Sequence, residues 1–334
     1  MTELELKQQK AIWLQPVTWK GSTVAGWSAF ILLPPLAVLA LKEAGVINLY
    51  YYQVLMVMGI NAILSVSLNL VNGFSGQFSL GHAGFMAVGA YTAALLTSKV
   101  AALPFFVATL CGGGLAALIA YIIGLPAFKT RGDYLAVITL AFNMIIVNLL
   151  QNTDYVGGPR GLPGIRHYTE FPWVWAWVVL TVVVQANLMR SAHGRAILAV
   201  RENEQAAELG GIDVHAYKLL AFSLSGFFAG VAGSLSAHLL QFIAPQSFNV
   251  FKSFDVLVML YLGGVGSISG AFTGAVLWTG LLEALRGVGV WRLVIGPLLL
   301  VVLMIARPKG ILGDRELPLL ARTAREEVER HAAS

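Results

Sequence analysis

Long apolar runs alternate along this chain with short polar or glycine-rich stretches. A helix needs about 20 apolar residues to cross the hydrocarbon core of a bilayer. On that basis the pattern predicts transmembrane helices over Val24–Leu41, Leu49–Val71, Leu80–Ser98, Leu103–Leu125, Tyr134–Leu150, Pro172–Met189, Leu219–Gln241 and Val290–Ala306.

One apolar region does not fit a single ordinary span. Phe254–Leu285 is too long for one crossing, since a helix rises about 1.5 Å per residue. It is also interrupted by the glycine-rich stretch Gly263–Gly270. We therefore expect two shorter helices around a glycine break, either as a re-entrant pair or as two steep short spans.

Composition places the chain in one fold class. Of its 334 residues, 57% are hydrophobic and only 12% are charged, whereas soluble domains carry about a quarter charged residues. The sequence therefore predicts an all-α polytopic transmembrane bundle with broken or re-entrant helices. The expected organisation is a cytoplasmic N-terminal segment (1–23), a transmembrane domain (24–306) that includes a polar loop (190–218), and a cytoplasmic C-terminal tail (307–334).

Basic residues predict which side each loop faces. If the N-terminus is cytoplasmic and Phe254–Leu285 returns to its starting side, the larger share of the 22 Lys and Arg residues falls inside, as expected of cytoplasmic loops. The loop 190–218 is then cytoplasmic. The turn-rich segment Gln151–Phe171 is external, and Lys252 falls on the external side. The aromatic run Phe171–Trp177 is interpreted as an interfacial belt.

The polar loop contains the longest mid-chain mixture of charges and helix formers. Residues Arg195–Leu209 are good helix formers, Gly210 and Gly211 are typical of a helix end, and Asp213 is suited to cap the helix that follows. The loop is thus predicted to form a helix, a break and a second, short helix. Exposed charges and the small Ala206 and Ala207 suit a surface on which another protein docks. A solvated connector with no partner is the alternative interpretation.

Two glycine-rich stretches are candidates for a translocation path. They are Asn72–Gly84 and Gly263–Gly274, and transporters often bind solutes where helices break in matching places. Unwound backbone and helix N-termini there could bind a zwitterion. The candidate path residues are Gly76, Gln77, Ser79, His82, Gly263, Gly264 and Ser267. Alternatively, the glycines only let helices approach closely, and His82 is an interfacial histidine with a satisfied hydrogen bond.

The sequence gives no support for catalysis on this chain. It contains no phosphate-binding G-x-x-x-x-G-K-[ST] motif, no catalytic motif, and no histidine and carboxylate set at metal spacing. The lone Cys111 is interpreted as a packing residue.

A transporter built this way needs a partner or an ion gradient as its energy source. Few ionisable residues fall inside the predicted spans, which counts against an ion-coupled carrier. Such a carrier, or a channel for solutes such as urea or amides, remains the alternative, as does a scaffold without transport activity.

Three segments carry a resemblance to a known family. They are RENEQAAELGGIDVHAYKLLAFSLSGFFAGVAGSL from Arg201, NLVNGFSGQFSLGHAGFMAVGAYTAALL from Asn69, and LPAFKTRGDYLAVITLAF from Leu125. Together they resemble the LivM-type permeases of branched-chain amino-acid ABC importers, over residues from about 50 to 312.

The resemblance implies a mechanism and partners. A short helix of the polar loop would couple the chain to a cytoplasmic ATPase, and ATP and Mg²⁺ would bind the ATPase, so this chain would need no cofactor. The coupling residues would be Arg201, Glu202, Asn203, Glu204, Ala206, Ala207 and Gly210. The expected partners are a second homologous permease subunit, two ABC ATPases, an extracytoplasmic solute-binding protein and the lipids of a bacterial inner membrane, with no nucleic acid. The expected solutes are branched-chain or other amino acids, with urea, amides and small aromatic acids also served by such permeases.

Overall fold

A computed structural model describes most of the chain. It covers residues 21–45, 47–99, 103–129 and 134–291, together with separate positions at 298, 301, 305, 307, 310–313 and 316. The first 20 residues, most of the predicted span Val290–Ala306 and most of the predicted tail lie outside the described residues.

Helices make up nearly all of the described structure. In chain order they are α1 (Gly21–Glu43), α2 (Leu49–Asn69, extended by a π-helical turn, Leu70–Phe74), α3 (His82–Lys99), α4 (Phe105–Ala127), α5 (Tyr134–Gln151), α6 (Phe171–Arg190), α7 (Ala192–Glu202), α8 (Glu204–Leu209), α9 (Val214–Leu240), α10 (Val250–Gly263) and α11 (Ile268–Ala284).

Among the described residues, six helices are long and apolar enough to span a membrane. They are α2 with its π turn, α4, α5, α6, α9, and α11 with the following turn to Gly287. The predicted polytopic helical membrane protein is thus confirmed. Helix α3, predicted as a span from Leu80, begins at His82 and is not among these six; most of its side chains are buried. Helix α9 begins at Val214, before the predicted start at Leu219.

The core is built where α9 crosses α3 and α4 at very short range. A Cβ added to Gly89 of α3 would lie 2.1 Å from the carbonyl oxygen of Gly230 on α9. One added to Gly112 of α4 would lie 2.8 Å from the carbonyl oxygen of Gly89. Small residues at helical spacing let the backbones touch, which is how helices gain van der Waals contact inside a membrane.

The predicted glycine break between two short helices is confirmed. Helices α10 and α11 form a hairpin around residues 264–267, and a Cβ on Gly274 would lie 2.1 Å from the carbonyl oxygen of Met259. Helix α10 has only 14 residues, too few to cross a bilayer. Lys252 on α10 was predicted to be external. Instead its ammonium donates to Asn61, halfway along the span formed by α2.

The bundle has two ends that differ in structure. At one end, here called the strand end, Leu162–Pro163 pairs antiparallel with Phe242–Ile243. This confirms that the predicted turn-rich segment Gln151–Phe171 is ordered. The other end, here called the loop end, carries α7 and α8 between the last residue of α6 and the first of α9.

Candidate functional site

The first helix predicted in the polar loop is two helices in the structure. The predicted helix Arg195–Leu209 is broken at Asn203, which has an extended backbone (φ −159°, ψ 109°). Its side-chain oxygen accepts from the Ala206 N–H at 3.0 Å, so Asn203 is the N-cap of α8. Asparagine is a strong N-cap, and that local bond outweighs the helix propensity of the residues around it.

Helix α8 ends as the sequence predicted. Gly211 adopts φ +80°, donates to the Glu208 carbonyl and is followed by Ile212, which donates to the Ala207 carbonyl. This pair of bonds is a Schellman motif, which favours glycine at the left-handed position. Asp213 then caps α9 by accepting from the Ala216 N–H at 3.0 Å, as expected. The short helix predicted after the break is the first part of α9, which continues into the span without interruption.

The outer surface of α8 and its flanks is open to solvent. The predicted coupling residues Arg201, Glu202, Asn203, Glu204, Ala206 and Gly210 are exposed. Ala207 differs, because it is only 5% exposed and supports α8 from beneath. Leu209, which the sequence analysis did not single out, is 91% exposed.

Charged and polar side chains tie α8 to the bundle. The Lys218 ammonium on α9 lies 2.6 Å from a Glu204 carboxylate oxygen. The Gln77 side-chain amide donates to that same oxygen at 3.4 Å. Lys218 is buried while Glu204 is half exposed, so the ion pair lies at the edge of the loop. Through it, a coupling candidate contacts a path candidate from the first glycine-rich stretch.

Arg201 joins the two glycine-rich stretches. A Cβ on Gly76 would lie 3.0 Å from the Arg201 Cγ, and one on Gly266 would lie 3.1 Å from an Arg201 guanidinium nitrogen. Both glycines have positive φ, +69° and +86°, a conformation that side chains rarely adopt. Arg201, in the last turn of α7, therefore contacts both breaks at once.

Asn69, missed by the sequence analysis, clamps the two breaks together. It is fully buried near the end of α2. Its side-chain oxygen accepts from the Gly266 N–H at 2.8 Å, and its amide donates to the Ser267 carbonyl at 3.0 Å. The signal in the sequence was a lone asparagine in an apolar run just before the first stretch.

In the first glycine-rich stretch, side chains of the protein accept hydrogen bonds from backbone N–H groups. Ser79 is buried, and its N–H donates to the Asn72 side chain at 3.2 Å. Leu80 donates to the Thr139 hydroxyl at 3.0 Å. His82 is also buried, and its Nε2 lies 2.7 Å from the Ser67 hydroxyl. Because that hydroxyl donates to the Leu64 carbonyl, the imidazole is the donor, an arrangement that joins two helices.

The second stretch is occupied by the chain's own tail. Gly263 is packed against the Gly270 carbonyl, Gly264 has φ +131°, and the Ser267 hydroxyl caps α11 by accepting from the Gly270 N–H. The Glu316 carboxylate accepts from the N–H groups of Ile268 and Ser269 at 2.6 and 3.1 Å. A carboxylate was expected at this helix N-terminus, but as part of a solute, and no role was predicted for the tail.

The structure thus brings the two predicted sets of residues to one place. Coupling candidates and path candidates meet at the loop end through Arg201, Glu204 and Gln77. The fold and the site therefore define a class: a multi-pass membrane protein whose exposed helical loop contacts two helix breaks.

Comparison with known proteins gives the family. The profile of the branched-chain amino acid transport system permease component matches residues 50–306. The high-affinity branched-chain amino acid transport system permease protein LivM of Escherichia coli is 35% identical over 285 residues, covering 75% of this chain and 67% of the relative. LivM of Salmonella typhimurium shows the same identity and coverage. A probable LivM of Methanocaldococcus jannaschii is 26% identical, over 68% of this chain and 78% of the relative. No solved structure gives a significant match.

The chain therefore belongs to the family of branched-chain amino acid transport system permease components. The resemblance seen in its motifs is confirmed. Membership favours a permease subunit over the alternatives of an ion-coupled carrier or channel.

Proposed function

We propose that this chain is the membrane-spanning permease subunit of an ATP-binding-cassette importer that carries branched-chain amino acids into the cytoplasm. The family match and the names of the relatives support the solute class. Because the chain has no phosphate-binding motif, ATP hydrolysis belongs to partners. These are two ATPase subunits, working with a second permease subunit and an extracytoplasmic solute-binding protein in the bacterial inner membrane.

The proposal depends most on one observation. Arg201, at the end of α7, contacts both glycine-rich breaks, and Glu204, at the start of α8, is paired with Lys218 at the start of α9. A force applied to α8 would reach the ends of α2, α9 and the α10–α11 hairpin together. A coupling helix requires such contacts, because it can move the membrane helices only if they are packed against it and shift as whole elements.

The mechanism follows from that linkage. ATP binding would draw the α8 helices of the two permease subunits together, and release of the hydrolysis products would let them separate. Each movement would shift the breaks at the loop end relative to the strand end, so that the path opens to one side at a time. The loop end faces the cytoplasm in this scheme, with both termini on the same side.

The test replaces the exposed apolar contact of the loop. Leu209→Asp puts a charge where an apolar side chain would be buried against the ATPase, without disturbing a packed site in the chain itself. We expect ATP-dependent leucine uptake by vesicles with the assembled transporter to fall at least about tenfold, as for an interface hot spot. ATPase subunits should also copurify with the variant poorly.

The matched control is Leu49→Asp at the strand end, where the leucine is also exposed. It should leave copurification of the ATPase unchanged, because it lies at the opposite end of the bundle. Wild-type uptake and ATPase binding in the Leu209→Asp variant would contradict the assignment of α8 as the coupling helix.

A further inference from the structure

A cavity of about 490 Å³ opens at the strand end. It lies between the start of α2, the end of α9 and the end of α11, and His167 of the loop before α6 closes one side. Small-molecule sites begin at about 300 Å³ and combine apolar walls with a few placed polar groups. Here Val54, Val57 and Leu239 supply apolar wall.

The polar residues of the cavity form two facing rows. On α2 the row is Tyr50 and Gln53, with Asn61 on the same helix face below them. On α11 the row is Thr279 and Glu283, and Arg286 continues it in the turn that follows. At the mouth, Arg286 lies 3.5 Å from the Glu283 carboxylate and donates to the Tyr50 hydroxyl. Both signs of charge are therefore present where a zwitterion would enter.

The cavity floor leads to a lysine at mid-membrane depth. The Thr279 hydroxyl accepts from the Asn61 amide at 3.0 Å, and the Asn61 oxygen accepts from the Lys252 ammonium at 3.2 Å. Asn61 is 6% exposed and lies 12 residues after Leu49, which is about 18 Å along the helix axis. The two hydrogen bonds thus link the open cavity to a charge in the middle of the bundle.

A cation at this depth needs an explanation. Ionisable groups inside the hydrocarbon region are expensive and usually mark a solute or ion pathway. Asp255, three residues later on α10, interacts with Lys252 through its charge, but among the described residues no carboxylate oxygen lies within the 4.0 Å of a direct ion pair with the Lys252 ammonium. An ammonium has three N–H donors, and Asn61 accepts one of them.

From this geometry we infer that the cavity is the outward-facing entry site for an amino-acid solute, and that Lys252 binds its carboxylate at the next step inward. At the mouth, Glu283 pairs with the solute ammonium and Arg286 with its carboxylate. Moving inward, the carboxylate replaces the contact between Lys252 and Asn61. The direction of movement rests on the proposed function, whereas the presence of a binding site does not.

Cysteine labelling tests the cavity directly, since the chain has a single cysteine to remove. In a Cys111→Ser background of the full-length protein in membrane vesicles, Thr279→Cys should react with a charged, membrane-impermeant methanethiosulfonate added from the strand-end side. Leucine at millimolar concentration should slow that reaction at least about tenfold. The matched control is Leu277→Cys, two residues away on α11, exposed and not among the residues that line the cavity, which should react more slowly because apolar surroundings lower the ionised fraction of a thiol.

Charge substitution tests Lys252. In the assembled transporter, Lys252→Met should lower ATP-dependent leucine uptake at least about tenfold, while Lys252→Arg, which keeps the charge, retains a larger share. Lys129→Met, which removes an exposed lysine at the end of α4, should transport like the wild type. An anchoring role alone would make the Met and Arg variants equally defective.

The possible results separate the two proposals. Thr279→Cys that does not react, that reacts no faster than Leu277→Cys, or that leucine does not protect overturns the entry site. Lys252→Met with wild-type uptake, or equal loss in both Lys252 variants, overturns the role of Lys252. Absence of ATP-dependent leucine uptake by the wild type defeats the proposed function, while the labelling experiment, which needs no ATP, still decides whether the cavity binds leucine.

Discussion

At the scale of single residues, a tryptophan compensates for two prolines. Pro34 and Pro35 lie inside α1 and cannot donate to the carbonyls four residues earlier. Those are the carbonyls of Phe30 and Ile31, and the Trp175 indole N–H lies 3.2 Å from each of them. Within a membrane such groups must find donors in neighbouring helices. Trp175 therefore joins α6 to α1, a role more specific than the interfacial belt predicted for Phe171–Trp177.

Trp175→Phe isolates that bond, since it removes the N–H and keeps an aromatic ring. We expect a loss of about 0.5–2 kcal/mol, the range for interhelical hydrogen bonds in membranes. The loss would be measured as a lower thermal unfolding midpoint of the detergent-solubilised protein. Trp173→Phe, two residues earlier and more exposed, serves as the control. An unfolding midpoint for Trp175→Phe equal to that of the control would show that the bond contributes nothing.

At the scale of helices, packing is decided by which glycines face a backbone. In α4, Gly112 lies against α3 and α9, whereas a Cβ on Gly114 would meet nothing within 4 Å. The sequence shows three adjacent glycines with no means of ranking them. Their difference arises because each successive helical residue points about 100° further round the axis, so only some of the three face the crossing.

Gly112→Ala and Gly114→Ala should therefore behave differently. The first places a methyl group 2.8 Å from the Gly89 carbonyl oxygen, which forces helices apart and should cost about 1–3 kcal/mol. The second should leave stability unchanged or slightly raised, since alanine favours helix. Size-exclusion profiles after heating would rank the two variants. Equal stability of the two variants would mean that α3, α4 and α9 are not in backbone contact at Gly112.

At the scale of the whole molecule, the two ends of the bundle are chemically distinct. The loop end holds α7 and α8 and both glycine breaks, and the strand end holds the β pair and the open cavity. The distribution of basic residues predicts that the loop end is cytoplasmic. Six apolar helices in the described part of the chain establish a multi-pass protein, whereas its orientation is a prediction from the distribution of charge.

Labelling of single cysteines would determine the orientation. In a Cys111→Ser background, Glu208→Cys on α8 should be protected in intact cells from an impermeant maleimide and become reactive after permeabilisation. Tyr155→Cys in the strand-end loop, also exposed, should be labelled in intact cells. The reverse pattern would place α8 outside the cell, where no ATPase could reach it.

The sequence by itself determined the class of protein, the positions of most helices, the glycine break before α11 and the family. These features depend on local hydrophobic length, on local turn chemistry and on runs of residues contiguous in the chain. Only the tertiary structure showed that Arg201 touches both breaks, that Glu316 caps α11 and that Lys252 contacts the middle of α2. Each of these contacts joins residues far apart in sequence, and their formation depends on how the helices pack, which no local pattern encodes.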